Sequence, residues 1–148
     1  FNFSNSLALT SFTVTRLSRV GFDNTLGYLK GGINIWRKEG KPIDTVKEVS
    51  ANEFEKLNNE EKQLIFDVRK NNEYNSEHIV NAKNTPLDFI NIHMNEFFNK
   101  KTFYLHCAGG YRSMIAASIL KSRGIHNFVD VNGGFNEIKK TKIDITKD

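Results

Sequence analysis

The chain has 148 residues, enough for one domain with a substantial core and a short additional segment. Its 39% hydrophobic and 26% charged residues are typical of a globular protein, and no apolar run is long enough to predict a membrane-spanning helix. The net charge of +4 comes from lysines spread among acidic residues, so the dense basic stripe of a nucleic-acid-binding protein is absent. A single cysteine excludes an internal disulfide and a cysteine-based metal cluster, and a free thiol suits a reducing cytoplasm, where we expect the protein.

The first 44 residues carry weak patterns of secondary structure. Residues 13–19 predict a short helix, residues 25–29 a short strand and residues 33–38 a second helix. The stretch Gly40-Lys41-Pro42 is typical of a boundary, and we expect a linker to follow it.

Residues 45–141 alternate between strand and helix patterns. A capping box from Ser50 to Glu53 predicts a helix that ends near Asn59. The remaining predictions are strands at 64–68, 82–85, 102–106 and 128–131, a short helix or turn at 71–77, and helices at 87–98, 114–123 and 135–140. This alternation predicts an α/β domain whose central sheet is mainly parallel and flanked by helices. Residues 142–148 are predicted to form a polar tail.

Cys107 lies between a predicted strand and a predicted helix, so we expect it on a tight turn below a helix N-terminus. The pair Gly109-Gly110 allows the positive φ angles that such a turn requires. Loop N–H groups from Ala108 onward, the positive end of the helix and the cationic Arg112 would each favour a thiolate. Ser113 is expected to cap the helix or to donate its hydroxyl to the loop. The pattern predicts a nucleophilic cysteine.

The spacing around this cysteine is specific. Four residues separate Cys107 from Arg112, and Ser113 follows. The stretch resembles the rhodanese active-site loop, Cys-x4-Arg-Ser/Thr, whereas cysteine phosphatases of the tyrosine and dual-specificity type have five intervening residues. Further segments similar to the family's are Asp67-Val68-Arg69, Glu73-Tyr74, His78-Ile79, Ala82, Asn84, Pro86-Leu87 and Asn132-Gly133-Gly134-Phe135, with Glu77 and Asn81 where glycine is common.

The resemblance implies a rhodanese-like three-layer α/β fold over residues 45–141 and a sulfurtransferase activity that needs no cofactor. Cys107 would take sulfane sulfur from thiosulfate or a low-molecular-weight persulfide, hold it as a persulfide and pass it to a thiol, sulfite or cyanide. The loop that would bind the substrate comprises Ala108, Gly109, Gly110, Tyr111, Arg112 and Ser113. Asp67 and Arg69 would support it.

Several roles stay open at this point. Arg112 would either bind the anionic donor or brace the loop by pairing with Asp67 or Glu73. Tyr111 is expected at the mouth of the pocket. His106 is predicted to face away from Cys107 because side chains alternate along a strand. The four histidines do not show a metal-binding spacing, so we expect no metal.

Residues 19–34 and 123–136 resemble each other, since each reads as helix, glycine, asparagine, strand, Gly-Gly and helix. Residues 15–36 also resemble the segment before the rhodanese domain in metallo-β-lactamase–rhodanese fusion proteins, which are persulfide dioxygenase-like and sulfurtransferase enzymes. This resemblance implies that residues 1–44 end a preceding, degenerate rhodanese-like unit. It also implies a metallo-β-lactamase-like domain in the full-length chain.

Two other functions stay open. A cysteine phosphatase or arsenate reductase shares an anion-cradling cysteine, although the four-residue spacing disfavours it. A non-catalytic sulfur-relay module of a larger fusion would also retain Cys107. In each sulfur-handling case the expected ligands are small sulfur-containing anions and thiols, with no nucleic acid and no membrane.

Overall fold

The computed structural model describes residues 13–15, 18, 24 and 26–146. The chain divides into two compact units, Phe1–Thr45 and Val46–Asp148. In the first unit, residues 13–15 and 18 are helical, as predicted, and α1 spans Gly32–Lys38. The strand predicted over 25–29 is wrong for 26–29, because Leu26 is 93% exposed and no strand in the described ranges pairs with this segment. Residue 25 lies outside the described residues.

The second unit is built on a parallel sheet. The strands are β1 (Glu48–Val49), β2 (Leu64–Asp67), β3 (His78–Ile79), β4 (Lys83–Asn84), β5 (Phe103–His106), β6 (Phe128–Val131) and β7 (Ile145–Thr146). Five of them form one sheet in the order β1-β6-β5-β2-β4, and every pairing in it is parallel. The central strands are rich in Phe, Ile, Leu and Val because a parallel sheet is covered on both faces.

Helices cover both faces of this sheet. They are α2 (Ala51–Glu60), α3 (Asn71–Ser76), a 3-10 helix (Leu87–Phe89), α4 (Met94–Phe97), α5 (Tyr111–Ser122) and α6 (Gly134–Ile138). At the start of α2 the Ser50 hydroxyl accepts the Glu53 N–H at 3.2 Å, which is the serine half of the predicted capping box. The predicted α/β fold with a mainly parallel, helix-flanked sheet is confirmed.

The single helix predicted over residues 87–98 is wrong. The chain forms the 3-10 helix, turns through residues 90–93, where the Ile92 and His93 N–H groups donate to the Phe89 carbonyl, and then begins α4. Ile90, Met94 and Phe97 keep the spacing of one helix face and are buried in one cluster, while Ile92 faces solvent. Residues 88–93 are Asp, Asn, His, aromatic or β-branched, all weaker helix formers, which favours separate turns over one continuous helix.

The sheet separates two apolar clusters. The cluster on the α5 side includes Phe66, Val68, Phe97, Phe103, Leu105, Cys107, Leu120 and Phe128. The cluster on the side of α2 and α6 includes Phe54, Ile65, Tyr104, Val129, Val131, Phe135 and Ile138. Alternate residues of β5 and β6 thus point to opposite faces, and Cys107 belongs to the α5 side.

The C-terminal segment joins the second unit. β7 pairs antiparallel with β3, with Ile145 opposite Ile79, and Ile143 is buried. Residues 143–146, which we expected in a polar tail, are therefore part of the fold, because their two isoleucines bury apolar surface. None of the helices in the described ranges is long and apolar enough to cross a lipid bilayer.

Candidate active site

Cys107 follows β5 at the carboxyl edge of the parallel sheet. Its side chain is 1% exposed, and its Sγ accepts the Gly110 N–H at 3.1 Å. Gly110 has a φ of 95° and is the N-cap of α5, so the helix begins at Tyr111 and not at Met114 as predicted. The left-handed glycine allows the chain to turn from strand to helix within a few residues and to aim an N–H at the sulfur.

The cysteine loop, residues 107–110, is held from behind by the start of α6. The Phe135 N–H donates to the Cys107 carbonyl at 2.7 Å, and the Asn136 N–H donates to the Ala108 carbonyl at 3.0 Å. Gly134 has a φ of 57°, and a Cβ there would lie 2.3 Å from the Cys107 carbonyl oxygen. The predicted Gly133-Gly134 turn is therefore what allows the two backbones to approach each other.

Arg112 pairs with Glu73. Both terminal nitrogens of the guanidinium group donate to the carboxylate, with Nη2 to Oε1 at 2.8 Å, so α5 is joined to α3 across 39 residues of sequence. The hydrogen bonds from Arg112 lower the pKa of Glu73 to about 2 and raise the pKa of Arg112. Of the two roles left open for Arg112, the geometry matches the brace, and the carboxylate that it binds is Glu73.

Asp67 and Arg69 form a second, buried ion pair. The Arg69 Nη2 lies 2.7 Å from Asp67 Oδ2 and also donates to the Glu77 carbonyl at 2.8 Å. The guanidinium packs over the Phe135 ring at 4.0 Å. These contacts connect the end of β2 with α6 below the cysteine loop, and the described contacts of Asp67 and Arg69 do not reach the sulfur.

Asn81 and Glu77 stand where glycine is common in the family, and each adopts a backbone conformation that its residue type allows. Asn81 adopts a φ of 67°, the left-handed conformation that asparagine tolerates better than most residues other than glycine. Glu77 is extended, with a φ of −164°, so no glycine is required there. Its carbonyl accepts a hydrogen bond from Arg69 Nη2. Both turns are therefore compatible with the fold.

His106 faces away from the thiol, as predicted. Its ring stacks on Phe135, its Nδ1 lies 3.3 Å from the Cys107 carbonyl, and its Nε2 lies 3.9 Å from Asp67 Oδ2. Burial lowers the pKa of His106, which keeps the ring neutral near pH 7. The arrangement does not form a Cys–His dyad.

Ser113 and Tyr111 take different positions at the start of α5. The buried Ser113 hydroxyl donates to the Gly110 carbonyl at 3.2 Å. Ser113 was predicted either to cap the helix or to donate its hydroxyl to the loop, and this bond is the second of these. Tyr111 is 59% exposed and lies next to the loop at the surface. Of the predicted loop residues, Gly110 donates to the sulfur, whereas Asp67 and Arg69 pair with each other.

Asp130 was not among the residues that the sequence predicted for the site. It lies in β6 and is 1% exposed, and its Oδ1 has no hydrogen-bond partner among the residues that the structure describes. Burial is the main cause that raises the pKa of Asp130 to about 6. The sequence signal was a lone acidic residue inside the apolar run Phe128-Val129-Asp130-Val131.

An open cleft of about 690 Å³ lies near the start of α2 and does not include the cysteine loop. Its lining includes Glu48, Glu53 and Glu137, together with Lys140, whose Nζ lies 2.7 Å from Glu137. Three carboxylates oppose the binding of an anionic donor. Within the described ranges, no group of three His, Cys, Asp or Glu side chains is placed to hold a metal ion.

The chain belongs to the rhodanese-like domain family, whose model matches residues 50–141. The matched segment contains β2, β5, the cysteine loop and the Gly133-Gly134 turn. The family match and the parallel α/β fold therefore agree that the second unit is a rhodanese-like domain.

The chain is similar to several known proteins. The chain is 36% identical over 76 residues to the Bacillus subtilis protein YqhL, covering 51% of this chain and 60% of YqhL. It is 33% identical over 78 residues to a tRNA sulfurtransferase of Thermoplasma acidophilum, covering 52% of this chain and 15% of that protein. A crystal structure of a rhodanese-like domain protein from Staphylococcus aureus superposes with a TM-score of 0.61 at 32% identity, covering 69% of this chain and 100% of that one. The chain spans less than two thirds of the length of the curated relatives that it matches.

Proposed function

We propose that this chain is a sulfurtransferase that carries sulfane sulfur as a persulfide on Cys107. The observation that carries the proposal is the Gly110 N–H on the Cys107 Sγ, within a loop that places Arg112 five positions after the cysteine. An amide aimed at a buried sulfur stabilises the negative charge of a thiolate or of a terminal persulfide sulfur. Membership of the rhodanese-like domain family, with a tRNA sulfurtransferase among the relatives, supports the same chemistry.

The reaction would be a double displacement. The Cys107 thiolate attacks the outer sulfur of thiosulfate or of a low-molecular-weight persulfide, and the donor's S–S bond breaks as the new one forms. The bonding electron pair leaves with sulfite or with a thiolate. A thiolate, sulfite or cyanide then attacks the terminal sulfur, and the electron pair of the broken bond returns to Cys107. Each cycle therefore regenerates the thiolate without an external oxidant.

Arg112 would act in this cycle by position and charge. Its pairing with Glu73 holds the first turn of α5 below the loop, and the raised pKa keeps the guanidinium cationic. A negative charge on Cys107 also raises the pKa of Arg112, so the two groups interact electrostatically. The exposed Tyr111 would contact the donor or acceptor at the surface.

The experiment that tests the proposal is intact-mass spectrometry after incubation with thiosulfate or glutathione persulfide. We expect the wild-type chain to gain the mass of one sulfur atom and to lose it when cyanide or sulfite is added. Cys107→Ser should show neither change. A wild-type chain that gains no sulfur would reject the proposal. Release of phosphate from an aryl phosphate without sulfur transfer would identify the phosphatase or arsenate-reductase alternative instead.

We further propose that residues 1–44 end a preceding, degenerate rhodanese-like unit, as in metallo-β-lactamase–rhodanese fusion proteins. The support is internal. The N-cap glycines of α1 and α6, Gly31 and Gly133, have φ angles of 80° and 76°, and the glycines that follow, Gly32 and Gly134, have 62° and 57°. The same sequence pattern thus produces the same local turn in both units.

The sulfur-relay alternative depends on this second proposal. It is tested by sequencing the reading frame upstream of Phe1 and by comparing sulfur transfer in this chain and in the full-length product. Equal turnover per Cys107 supports an independent sulfurtransferase. Turnover by the longer product alone supports an intramolecular relay from a metallo-β-lactamase-like domain.

A further inference from the structure

His106 is a fully buried histidine directly before the candidate nucleophile. Its ring stacks on Phe135, with the ring centroids 6.1 Å apart. The two ring nitrogens face different groups: Nδ1 lies 3.3 Å from the Cys107 carbonyl oxygen, and Nε2 lies 3.9 Å from Asp67 Oδ2. The double displacement at Cys107 does not use this ring as an acid or a base.

Asp67 does not need a proton from His106. Its Oδ1 accepts the backbone N–H of Arg69 at 2.9 Å and the Nε–H at 3.0 Å, and its Oδ2 accepts the Nε–H at 2.8 Å. Because the guanidinium already balances the buried carboxylate, a further positive charge on the ring would be uncompensated. Burial is the main cause that lowers the pKa of His106, in agreement with this balance. The ring is therefore neutral and carries one proton.

The contacts of the ring place that proton on Nδ1. A carbonyl oxygen can only accept, so a bare Nδ1 would set two acceptors 3.3 Å apart, whereas an Nδ1–H donates to the Cys107 carbonyl. Nε2 has no hydrogen-bond partner among the residues that the structure describes, and its distance to Asp67 exceeds that of a hydrogen bond. Only the Nδ1–H tautomer therefore makes a hydrogen bond.

We propose that His106 is a positioning residue for the cysteine loop, and that its Nδ1–H fixes the peptide group between Cys107 and Ala108. The role deepens the proposed function and rests on it, since the loop concerned is the one assigned to carry sulfur. The Cys107 carbonyl then has two donors, the His106 ring and the Phe135 N–H at 2.7 Å. A carbonyl oxygen has two lone pairs, so both hydrogen bonds form together.

This peptide group affects the sulfur through the short backbone that follows it. Three peptide bonds join the Cys107 carbonyl to the Gly110 N–H, which donates to Sγ at 3.1 Å. Rotation of the first peptide group would turn the Gly110 N–H away from the sulfur. Without the His106 donor, the Cys107 carbonyl keeps only its bond from Phe135. The thiolate is then stabilised less and reacts more slowly at neutral pH.

Nitrogen-15 NMR of the histidine side chains in the wild-type chain tests the tautomer, because protonated and bare ring nitrogens have well-separated chemical shifts. The chain has four histidines, and the signals that disappear in His106→Asn identify this ring. We expect a protonated Nδ1 and a bare Nε2 at pH 7. An Nε2–H tautomer, or an imidazolium at pH 7, would overturn the proposal.

The rate of iodoacetamide alkylation at pH 7 tests the effect on Cys107, the single cysteine. His106→Phe keeps an aromatic ring but removes the donor, and it should slow alkylation about two- to tenfold, the range expected for one hydrogen bond. His106→Asn places an amide donor near the position of Nδ1 and should recover most of the rate. His106→Gln extends its amide towards the position of Nε2 and should not. His126→Asn, at an exposed histidine, is the matched control and should behave like wild type.

The order of these rates separates positioning from a merely structural role. If His106 only filled space, the apolar His106→Phe would resemble wild type more closely than His106→Asn does. Urea unfolding gives the folded fraction of each variant, and rates are compared for folded molecules. A wild-type rate in His106→Phe, or no recovery in His106→Asn, would overturn the proposal. If His106→Phe does not fold, a faster rate in H106N than in H106Q supports it, and equal rates overturn it.

These outcomes are independent of sulfur transfer, because alkylation requires only the thiolate. The expected tautomer and order of rates in a chain that never gains sulfur would reject the sulfurtransferase and keep the role of His106. A chain that forms the persulfide, but whose His106 variants alkylate at the wild-type rate, would reject the role of His106 alone.

Discussion

The two Gly-Gly turns of this chain have nearly the same backbone and different surroundings. Gly31-Gly32 begins α1, and Gly133-Gly134 begins α6, each with two glycines at positive φ. A Cβ on either N-cap glycine would meet the side chain four residues later, Ile35 at 2.2 Å or Glu137 at 2.3 Å. As local structures, the two turns are equivalent.

They differ in what the following residues contact. α1 buries none of its residues, whereas α6 buries Phe135 and Ile138 and donates two N–H groups to the cysteine loop. Gly134 approaches the Cys107 carbonyl so closely that no side chain fits between them. A Gly-Gly turn therefore becomes part of the site through the residues that it contacts, and the sequence of the turn alone does not distinguish the two cases.

Truncation of the residue after each turn should give the largest contrast. Phe135 is buried beneath Arg69, and Phe135→Ala should lower the free energy of unfolding by about 3–5 kcal/mol. Ile33 is the counterpart of Phe135 in α1 and is 47% exposed. Ile33→Ala should therefore change the free energy of unfolding by less than about 0.5 kcal/mol. Urea unfolding followed by circular dichroism measures both. Equal losses would show that the two helices are equally packed.

Adding a methyl group at the turns should give the next largest contrast. Gly134→Ala places a Cβ against backbone atoms and should destabilise the chain by about 2–4 kcal/mol, from left-handed strain plus overpacking. Gly31→Ala meets only the side chain of Ile35, which can move, so its loss should be about 1–2 kcal/mol. Among molecules that remain folded, only Gly134→Ala should slow alkylation of Cys107. An equally slow Gly31→Ala variant would contradict this assignment.

Removal of the ion pair between Arg112 and Glu73 should have the smallest effect on stability. Glu73→Gln breaks the pair with Arg112 and should cost about 1 kcal/mol at pH 7, because the partly exposed pair is screened by solvent. The folded-state pKa of Glu73, about 2, lies below its ordinary value of 4.5. The contribution of the Glu73–Arg112 pair to the free energy of unfolding is therefore fully present above about pH 4.5 and is lost as the pH falls through 2.

Urea unfolding of wild type and Glu73→Gln between pH 2 and pH 7 checks this sign. We expect the two unfolding free energies to differ at neutral pH and to converge near pH 2. A difference that is constant with pH would show that the variant acts through packing and not through the charge of Glu73. Glu60→Gln, at an exposed glutamate at the end of α2, is a matched control and should change the free energy of unfolding by less than about 0.5 kcal/mol.

The sequence predicted most of the second unit because its signals are local. The apolar runs of β2, β5 and β6, the Ser50 cap and the glycines of the cysteine loop each specify backbone geometry over a few residues. The break at residues 90–93 was not predicted, because Ile90, Met94 and Phe97 have the spacing of one helix face whether or not the helix is continuous. β7 was missed for a related reason, since its partner strand β3 lies far away in the sequence.

For the site, the sequence by itself identified the candidate nucleophile, its glycine turn and the spacing to Arg112, because these follow from residue type and from a short stretch of backbone. Only the tertiary structure decided that Arg112 binds Glu73 and that Gly134 lies against the Cys107 carbonyl. Those contacts join residues tens of positions apart. Burial and packing set them, and no local pattern contains that information.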